Sequence, residues 1–257
     1  MSQKVEQSPL LDPSVLPLRS IHELAAPSVL VVAPHPDDET LGCGGAIASL
    51  CSLGCSVRVL VISDGTQSHP HSCQYPSAKL RALRESETRL AMALLGVDST
   101  DIKFLRLPDG SVPGVKPFDS LASTEFLEAV SACCRVLAAW QPTLIFIPWR
   151  NDPHPDHRAT WKLISAAIQT LSLSVRVVEY PIWDWDVQQR RDIHPSHQVL
   201  AWRLDIHQVV DLKQLAIAAY QSQTTNLICD DPTGFQLTPA MLANFAHPWE
   251  LYLEEIL

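Results

Sequence analysis

Short apolar runs alternate with longer amphipathic stretches along most of the chain. The apolar runs are rich in valine, isoleucine and leucine and lie at residues 28–34, 57–63, 101–107, 143–148 and 175–181. Runs with so little polar alternation are typical of strands buried on both faces of a parallel sheet. The stretches between them have helical spacing and lie at residues 38–53, 77–95, 120–140 and 155–171. The pattern therefore predicts an α/β fold, a Rossmann-like three-layer α/β/α sandwich with a mostly parallel sheet.

The regular alternation ends near residue 182. A polar, aromatic segment at 182–198 is followed by an apolar run at 199–206 and a helical pattern at 211–223. No repeat or linker separates this part from the rest, so we interpret it as a C-terminal elaboration of one domain. The first residues mix charges with prolines and lack the apolar core of a signal peptide. We therefore predict an N-terminal extension over 1–24 and a single domain over 25–257.

Composition narrows the classes of protein that the chain can belong to. Of its 257 residues 46% are hydrophobic, which is enough for a sizeable core. The formal net charge of −9 disfavours a nucleic-acid partner, because phosphate-binding surfaces are basic. No run approaches the roughly 18 apolar residues of a membrane helix, so we expect no membrane insertion. Seven cysteines without a CxxC pair indicate reduced thiols. We expect a cytoplasmic protein, for which a homo-oligomer is one possible state.

The first segment with candidate chemistry is Pro-His-Pro-Asp-Asp-Glu at residues 34–39. It lies where the first predicted strand passes into its helix, and open α/β sheets bind ligands at that end of their strands. His35 and Asp38 are three residues apart at a helix start, so their side chains can converge, whereas Asp37 projects to another side. An imidazole and a carboxylate together suit zinc and similar divalent metals.

The second segment is Asn-Asp-Pro-His-Pro-Asp-His-Arg at residues 151–158, directly after the fourth predicted strand. If the first and fourth strands are neighbours, His154 and His157 open onto the same crevice as the first segment. Either segment alone would be read as a turn and helix cap. Together they predict a metal held by two histidines and one aspartate, with coordination positions left for water and substrate, as in catalytic zinc sites. Spacing alone allows either histidine of this segment to be the ligand.

These two segments resemble the PIG-L/LmbE family of zinc-dependent N-acetylglucosaminyl deacetylases. Further runs that match the family are ISDGT after the second strand, RESETRLAMALLG before the third, and KQLAIAAYQSQ near the C-terminus. The resemblance spans roughly residues 27–255. It implies the Rossmann-like fold and the removal of an N-acetyl or other N-acyl group from an amino sugar or its conjugate.

The resemblance also assigns roles to individual residues. It implies one Zn²⁺ per chain, bound by His35, Asp38 and His157, although iron or cobalt could occupy the same ligands. It implies Asp37 as the general base that activates water. It implies that His154, oriented by Asp156, stabilises the oxyanion or protonates the departing amine. A family arginine that contacts substrate matches Arg84, and a late histidine of some family members corresponds to His247.

The chemistry of amide hydrolysis agrees with these roles but leaves alternatives open. Zinc supplies a nucleophile at neutral pH, and Asp37 is the spare carboxylate beside the ligands. Either His154 or a proton recycled through Asp37 could protonate the amine. A metal-dependent phosphoesterase is one alternative function, but it would often need a second metal and more basic residues. A non-catalytic carbohydrate- or metal-binding domain is the other, and it would gain little from Asp37.

Features around the motifs have competing explanations. Gly42, Gly44 and Gly45 lack the spacing of a dinucleotide-binding loop and favour close packing of the first helix. The tryptophans near the motifs, Trp149, Trp183 and Trp185, could stack on sugar rings or serve equally well as buried anchors. The predicted rim loops at 65–77, 108–119 and 182–198 would select a small-molecule amino-sugar or N-acyl amine substrate, whose identity the sequence does not specify.

Overall fold

The structure is a computed structural model, and it describes residues 16–114, 123–185 and 199–255. Within these ranges one sheet is formed by the strands β1 (Leu18–Arg19), β2 (Ser28–Ala33), β3 (Ser56–Ser63), β4 (Ile102–Leu107), β5 (Leu144–Pro148), β6 (Arg176–Tyr180), β7 (Val199–Asp205) and β8 (Trp249–Glu255). The α-helices are α1 (Asp38–Ser52), α2 (Ser77–Leu95), α3 (Thr124–Trp140), α4 (Pro155–Leu171), α5 (Val210–Ala218), α6 (Gln221–Thr224) and α7 (Pro239–Ala243). Short 3₁₀ turns lie at Ile21–Leu24, Ser99–Asp101 and Trp183–Trp185.

The strand order confirms the mostly parallel sheet. It runs β1-β7-β8-β6-β5-β2-β3-β4, and the pairs not involving β8 are parallel. The chain passes from β2 to β3 on one side, and β5 later pairs with β2 on the other side. This reversal of direction opens a crevice beyond the carboxyl ends of β2 and β5. The two sequence segments that carry histidines follow these two strands, so the expected neighbourhood of the first and fourth predicted strands is confirmed.

Alternating residues of the central strands face two separate cores. Val29 and Val31 of β2 pack with α1, α2 and α5, whereas Leu30 and Val32 pack with α3 and α4. Strands buried on both faces need apolar residues at every position, which explains the unbroken apolar runs in the sequence. The three-layer arrangement is confirmed.

Helix α1 lies unusually close to the sheet and to the elaboration. A Cβ at Gly45 would stand 2.6 Å from Ile206, and one at Gly44 would stand 3.0 Å from the Lys213 side chain. A Cβ at Gly42 would overlap the ring of Tyr180. The glycines therefore serve close packing, as predicted.

The C-terminal elaboration differs from the prediction in two ways. The terminal segment forms β8, which inserts antiparallel between β6 and β7. The helical pattern at 211–223 is divided into α5 and α6, because Tyr220 leaves the helical conformation at φ −80° and ψ 63°. Part of the predicted N-terminal extension also belongs to the sheet, since Leu18 and Arg19 pair with β7. Residues 1–15 of that extension, and parts of two predicted rim loops, lie outside the described residues.

A search of the described residues finds no helix both long and apolar enough to cross a bilayer.

A buried ion pair fastens α1 to the elaboration. Lys213 Nζ of α5 lies 2.8 Å from Glu250 Oε1 of β8, and both side chains are almost fully buried. The Glu250 carboxylate also accepts bonds from the backbone N–H groups of Gly45 and Ala46, at 2.7 and 2.9 Å. The Tyr252 hydroxyl donates to it at 2.8 Å. One carboxylate therefore joins α1, α5 and β8.

We predict that Lys213→Met destabilises the protein by about 3–5 kcal/mol, because it leaves the Glu250 carboxylate buried without its counter-charge. The matched control is Arg106→Met, which removes a cation from the surface pair with Glu85 and should cost at most about 1 kcal/mol. Urea unfolding at neutral pH measures both free energies. Equal losses in the two variants would contradict the assigned role of the buried pair.

Candidate active site

One carboxylate oxygen brings together the three predicted metal ligands. Asp38 Oδ2 lies 3.1 Å from His35 Nδ1 and 3.2 Å from His157 Nε2. The same oxygen accepts the His35 backbone N–H at 3.0 Å, which fixes the turn at the start of α1. Asp38 and His157 are fully buried or nearly so, and His35 is partly buried. The structure thus brings both predicted histidine ligands to within 3.2 Å of the predicted carboxylate ligand.

Asp37 is held in a strained backbone conformation beside this point. Its φ is 130° and its ψ is −30°, in a region that L-residues rarely adopt. The Glu39 carboxylate accepts the Asp37 backbone N–H at 3.2 Å. Burial raises the pKa of Asp37 to about 8, against the lowering effect of the Arg84 guanidinium. Strain of this kind persists only where surrounding contacts enforce it, and it is concentrated at functional sites.

Arg84 of α2 is one of the groups that hold Asp37. Its Nη2 lies 3.0 Å from Asp37 Oδ2, and its Nη1 donates to the Gly65 carbonyl at 2.9 Å. Nη2 also donates to the Pro36 carbonyl. Asp37 is therefore paired rather than spare, contrary to the sequence interpretation. Arg84 lines the cavity, and its predicted contact with substrate stays a prediction.

A second support comes from the elaboration. The Tyr220 hydroxyl donates a short hydrogen bond to Glu39 Oε1, and Thr40 Oγ1 lies 3.2 Å from that hydroxyl. Glu39 in turn accepts the Asp37 backbone N–H through its other oxygen. All of these groups are buried. These hydrogen bonds connect Tyr220, in the KQLAIAAYQSQ segment, through Glu39 to the backbone of the candidate base Asp37. The sequence alone did not reveal this role of the segment.

His154 is the N-cap residue of α4, and its imidazole has a defined orientation. Its Nδ1 accepts the backbone N–H of Asp156 at 3.2 Å, which leaves Nε2 as the protonated nitrogen of a neutral ring. Burial, together with the neighbouring His157 and His35, lowers the pKa of His154 to about 3. The ring lies edge-on to His35, with centroids 4.9 Å apart. These contacts favour a neutral imidazole with its Nε2–H as the donor.

Asp156 contacts both His154 and His35, the first through its backbone N–H and the second through its carboxylate. It accepts the backbone N–H groups of Gly110 and Val112 at 2.7 and 3.2 Å, and it lies 3.2 Å from His35 Nε2. Only its backbone N–H, not its carboxylate, bonds the ring of His154 among the described contacts. The carboxylate therefore orients His35 from behind.

Two further aspartates belong to the site although the sequence analysis gave them no role. Asp109 Oδ1 lies 3.2 Å from His35 Nε2, and its other oxygen accepts the Gln67 N–H. Asp152 Oδ1 lies 3.4 Å from His157 Nδ1. Asp152 also accepts three backbone N–H groups, those of His154, Ile182 and Trp183. Both residues follow the carboxyl end of a predicted strand, and this position was the one signal in the sequence that they could belong to the site. Neither lies at a spacing from a histidine that would have marked it as part of a motif.

The floor of a cavity of about 980 Å³ is formed by those of these residues that reach its surface, His35, Asp37, Asp38, Arg84, Asp109 and His154. The rest of the lining comes mainly from the loops after β3, β4 and β6 and from the segment 233–245. Trp183 lies on its wall and stacks on His154, with centroids 6.0 Å apart and planes 25° apart. Trp149, by contrast, is buried in a separate small core.

The structure does not bring His247 to this cavity, contrary to the predicted contact with substrate. His247 is exposed, is not among the residues that line the cavity, and stacks on Trp249 with centroids 4.5 Å and planes 6° apart. The turn before β8 places both rings together, because β8 enters the sheet between β6 and β7.

The donor set fits a divalent metal. His35, His154 and His157 each offer a ring nitrogen, and these atoms lie within 4.8 Å of one another. Both ring nitrogens of His157 are buried and have no hydrogen-bond partner among the described residues. Four carboxylates, those of Asp38, Asp109, Asp152 and Asp156, contact the two predicted histidine ligands. Two imidazoles and a carboxylate, with further carboxylates behind the rings, are a common arrangement for zinc and related metals.

Comparison with known proteins supports a specific family. A deacetylase of 1D-myo-inositol 2-acetamido-2-deoxy-alpha-D-glucopyranoside from Mycobacterium sp. (strain KMS) is 29% identical over 178 residues, which are 64% of this chain. The chain spans 56% of the length of that relative. A probable N-acetyl-alpha-D-glucosaminyl L-malate deacetylase from Bacillus anthracis is 25% identical and is matched over 76% of this chain and 80% of its own.

Among solved structures, N,N'-diacetylchitobiose deacetylase from Pyrococcus horikoshii matches with a TM-score of 0.57 and 24% identity. The match covers 76% of this chain and 70% of that one. At this identity the likeness shows the shared fold. The PIG-L family model, described as GlcNAc-PI de-N-acetylase, matches residues 30–168, which include both histidine segments and more than half of the chain. This chain belongs to the PIG-L family.

Proposed function

We propose that this protein is a metal-dependent hydrolase that removes an N-acetyl or other N-acyl group from an amino sugar or an amino-sugar conjugate. The observation that carries the proposal is the contact of one Asp38 oxygen with both His35 and His157, next to a strained Asp37. The relatives named as deacetylases of acetylated amino sugars support the same substrate class.

The metal is proposed to be held by His35 Nδ1, Asp38 Oδ2 and His157 Nε2. When bound, a zinc ion lowers the pKa of water into the neutral range and polarises the acyl carbonyl. The carboxylates of Asp156 and Asp109 lie 3.2 Å from the other ring nitrogen of His35, and that of Asp152 lies 3.4 Å from the other ring nitrogen of His157. Carboxylates in these positions would fix the ring orientations and raise the basicity of both imidazoles.

Proton transfers are assigned to groups of this chain. Asp37 takes a proton from the attacking water as the new C–O bond forms at the acyl carbon. The neutral His154 donates its Nε2–H to the carbonyl oxygen as negative charge develops there. As the C–N bond breaks, Asp37 returns the proton to the amine nitrogen. The carboxylic acid that forms passes its own proton to the amine, so the products are a carboxylate and the protonated amine. Arg84 keeps the Asp37 carboxylate in place throughout.

The two alternative functions receive less support from the geometry. A phosphoesterase with two metals needs two ligand sets, but the second candidate group, His35 with Asp109 and Asp156, shares His35 with the first. Arg84 is the single cationic side chain among the described residues that line the cavity, and it is paired with Asp37. A pure binding domain would have no use for a strained carboxylate beside the metal ligands.

We expect Asp37→Asn to keep the metal and to lower kcat by about 10²–10⁴-fold, because the amide cannot accept a proton. Acetate release from N-acetylglucosamine derivatives, together with metal content, measures both effects. Glu128→Gln, an exposed substitution on α3, is the control and should leave both unchanged. Turnover of Asp37→Asn at the rate of the unmodified protein would remove Asp37 from the mechanism.

We expect His157→Ala to lose bound metal and activity together, because it removes a buried ligand. His207→Ala is the control, since the His207 side chain is 62% exposed and lies after β7. Metal content after dialysis against a buffered, low concentration of zinc measures the loss. The assay includes iron and cobalt as well as low zinc, because these metals accept the same ligand types. Stoichiometric metal in His157→Ala would contradict the ligand assignment.

We expect Tyr220→Phe to lower kcat by about tenfold without changing KM or metal content, because a lost bond to the Glu39 carboxylate loosens the Asp37 backbone. The matched control is Tyr252→Phe, which removes the same kind of buried bond from Tyr to Glu on another side of α1. Steady-state kinetics and urea unfolding separate the two. If both variants lose stability but neither loses kcat, Tyr220 is merely structural.

A further inference from the structure

The cavity is chemically divided. Its floor carries the titratable groups described above, and polar side chains such as Gln67 and Ser68 lie beside them. The rest of the wall also carries polar side chains, Gln223, Thr233, Gln236, Thr238 and Asn244. Between them lie large apolar side chains from three separate parts of the chain, Leu41, Ile182, Trp183, Phe235, Leu237, Met241 and Phe245. We refer to these seven residues as the apolar wall.

The apolar wall begins directly at the reaction centre. Leu41 follows Asp38 by three residues on α1 and therefore lies on the same face of the helix. Trp183 stacks on His154 and meets Phe235 at a centroid distance of 5.6 Å. A group attached to the scissile amide or to its sugar would therefore reach apolar surface within a few bonds.

The apolar wall is also rigidly supported. Leu41, Ile182, Leu237 and Phe245 belong to the buried core on one side of the sheet. Trp183, Phe235 and Met241 are partly buried and pack against that core. Apolar surface that is held in place by the core is available to a ligand at little conformational cost.

An acetylated monosaccharide does not match such a cavity. It presents hydroxyl groups around most of its ring, and each one placed against an apolar surface loses its bonds to water. The cavity volume of about 980 Å³ is at the upper end of the range, roughly 300–1,000 Å³, in which proteins bury drug-sized ligands. The floor suffices for the N-acyl amine and part of a sugar, and the apolar wall is left for something else.

We propose that the natural substrate is amphiphilic, with an alkyl or aryl group larger than acetyl that binds against the apolar wall. This inference rests on the proposed function and specifies its substrate class. The apolar group can be the acyl chain itself or a substituent of the sugar, since both lie within reach of the floor.

Two substrate series test the inference with the metal-loaded, full-length protein. In the first, 2-acetamido-2-deoxy-β-D-glucopyranosides carry methyl, butyl, hexyl or octyl groups, and released acetate is measured. In the second, glucosamine carries acetyl, butyryl, hexanoyl or octanoyl groups on nitrogen, and the free amine is measured. All concentrations stay below the critical micelle concentrations. We expect kcat/KM to rise about two- to fourfold per added methylene in one of the series, which identifies the position of the apolar group.

A variant on the apolar wall provides the internal check. Met241→Gln keeps the size of the side chain and adds a polar amide, so it should flatten the dependence of kcat/KM on chain length. Leu127→Gln is the control, since Leu127 is 53% exposed on α3, in the opposite layer of the sandwich. Should Met241→Gln fail to fold, Ala240→Asp introduces a charge at an exposed position of the same cavity wall.

The outcomes separate this inference from the proposed function. Hydrolysis of the methyl glycoside with a flat dependence in both series supports the proposed function and overturns the amphiphilic substrate. If no compound is hydrolysed, calorimetric binding of the methyl and octyl glycosides of glucosamine decides. At least tenfold tighter binding of the octyl compound, abolished by Met241→Gln, supports the inference, and equal binding overturns it.

Discussion

The candidate site depends on the convergence of two imidazoles on one oxygen of Asp38. Two buried histidines from distant parts of the chain can approach one carboxylate only if β2 and β5 are neighbours and α1 begins immediately after β2. A buried carboxylate between two imidazoles is costly unless charge and hydrogen bonds are balanced. The ring nitrogens that face away from it contact Asp152, Asp109 and Asp156, so the site is strongly acidic overall. A divalent cation would offset the negative charge of these carboxylates. The contacts that shape the site are therefore the same contacts that would favour metal binding.

The position of Asp38 is itself fixed by close packing along the first half of α1. Glycines let the helix approach Tyr180 and Ile206 closely, and the buried Glu250 carboxylate bonds the backbone of the same turn. A side chain at Gly45 would collide with Ile206 and shift the helix by tenths of an ångström or more. Such a shift would move the Asp38 oxygen relative to His157, which belongs to a different helix. Close packing along α1 thus sets the distance between the Asp38 oxygen and His157 in the candidate site.

Sequence was informative where one strand or one turn determines the outcome. The five apolar runs and the two histidine segments led to the central sheet, and His35 and His157 both lie within 3.2 Å of Asp38 Oδ2. The insertion of β8 was not foreseeable, because WELYLEE pairs with strands more than 40 residues away and carries no local signal for its direction. Asp109 and Asp152 were missed for a related reason. Each is an ordinary aspartate in a loop, and only the fold brings it to a histidine. His247 is the reverse case. The resemblance implied that it contacts substrate, but the turn before β8 places it outside the cavity.

Under the proposed function, the C-terminal elaboration would contribute to catalysis and to substrate selection through separate residues. Tyr220 reaches Glu39 and thereby the backbone of the candidate base, whereas the segment 233–245 forms much of the apolar wall. A substitution in the second group can change which substrate binds without moving Asp37, because Phe235 and Met241 make no described bond to Glu39. This division explains how a shared catalytic floor is compatible with different substrates among relatives. It also means that similarity over residues 30–168, which ends before both groups, bears on the chemistry of the floor and not on the substrate that this chain selects.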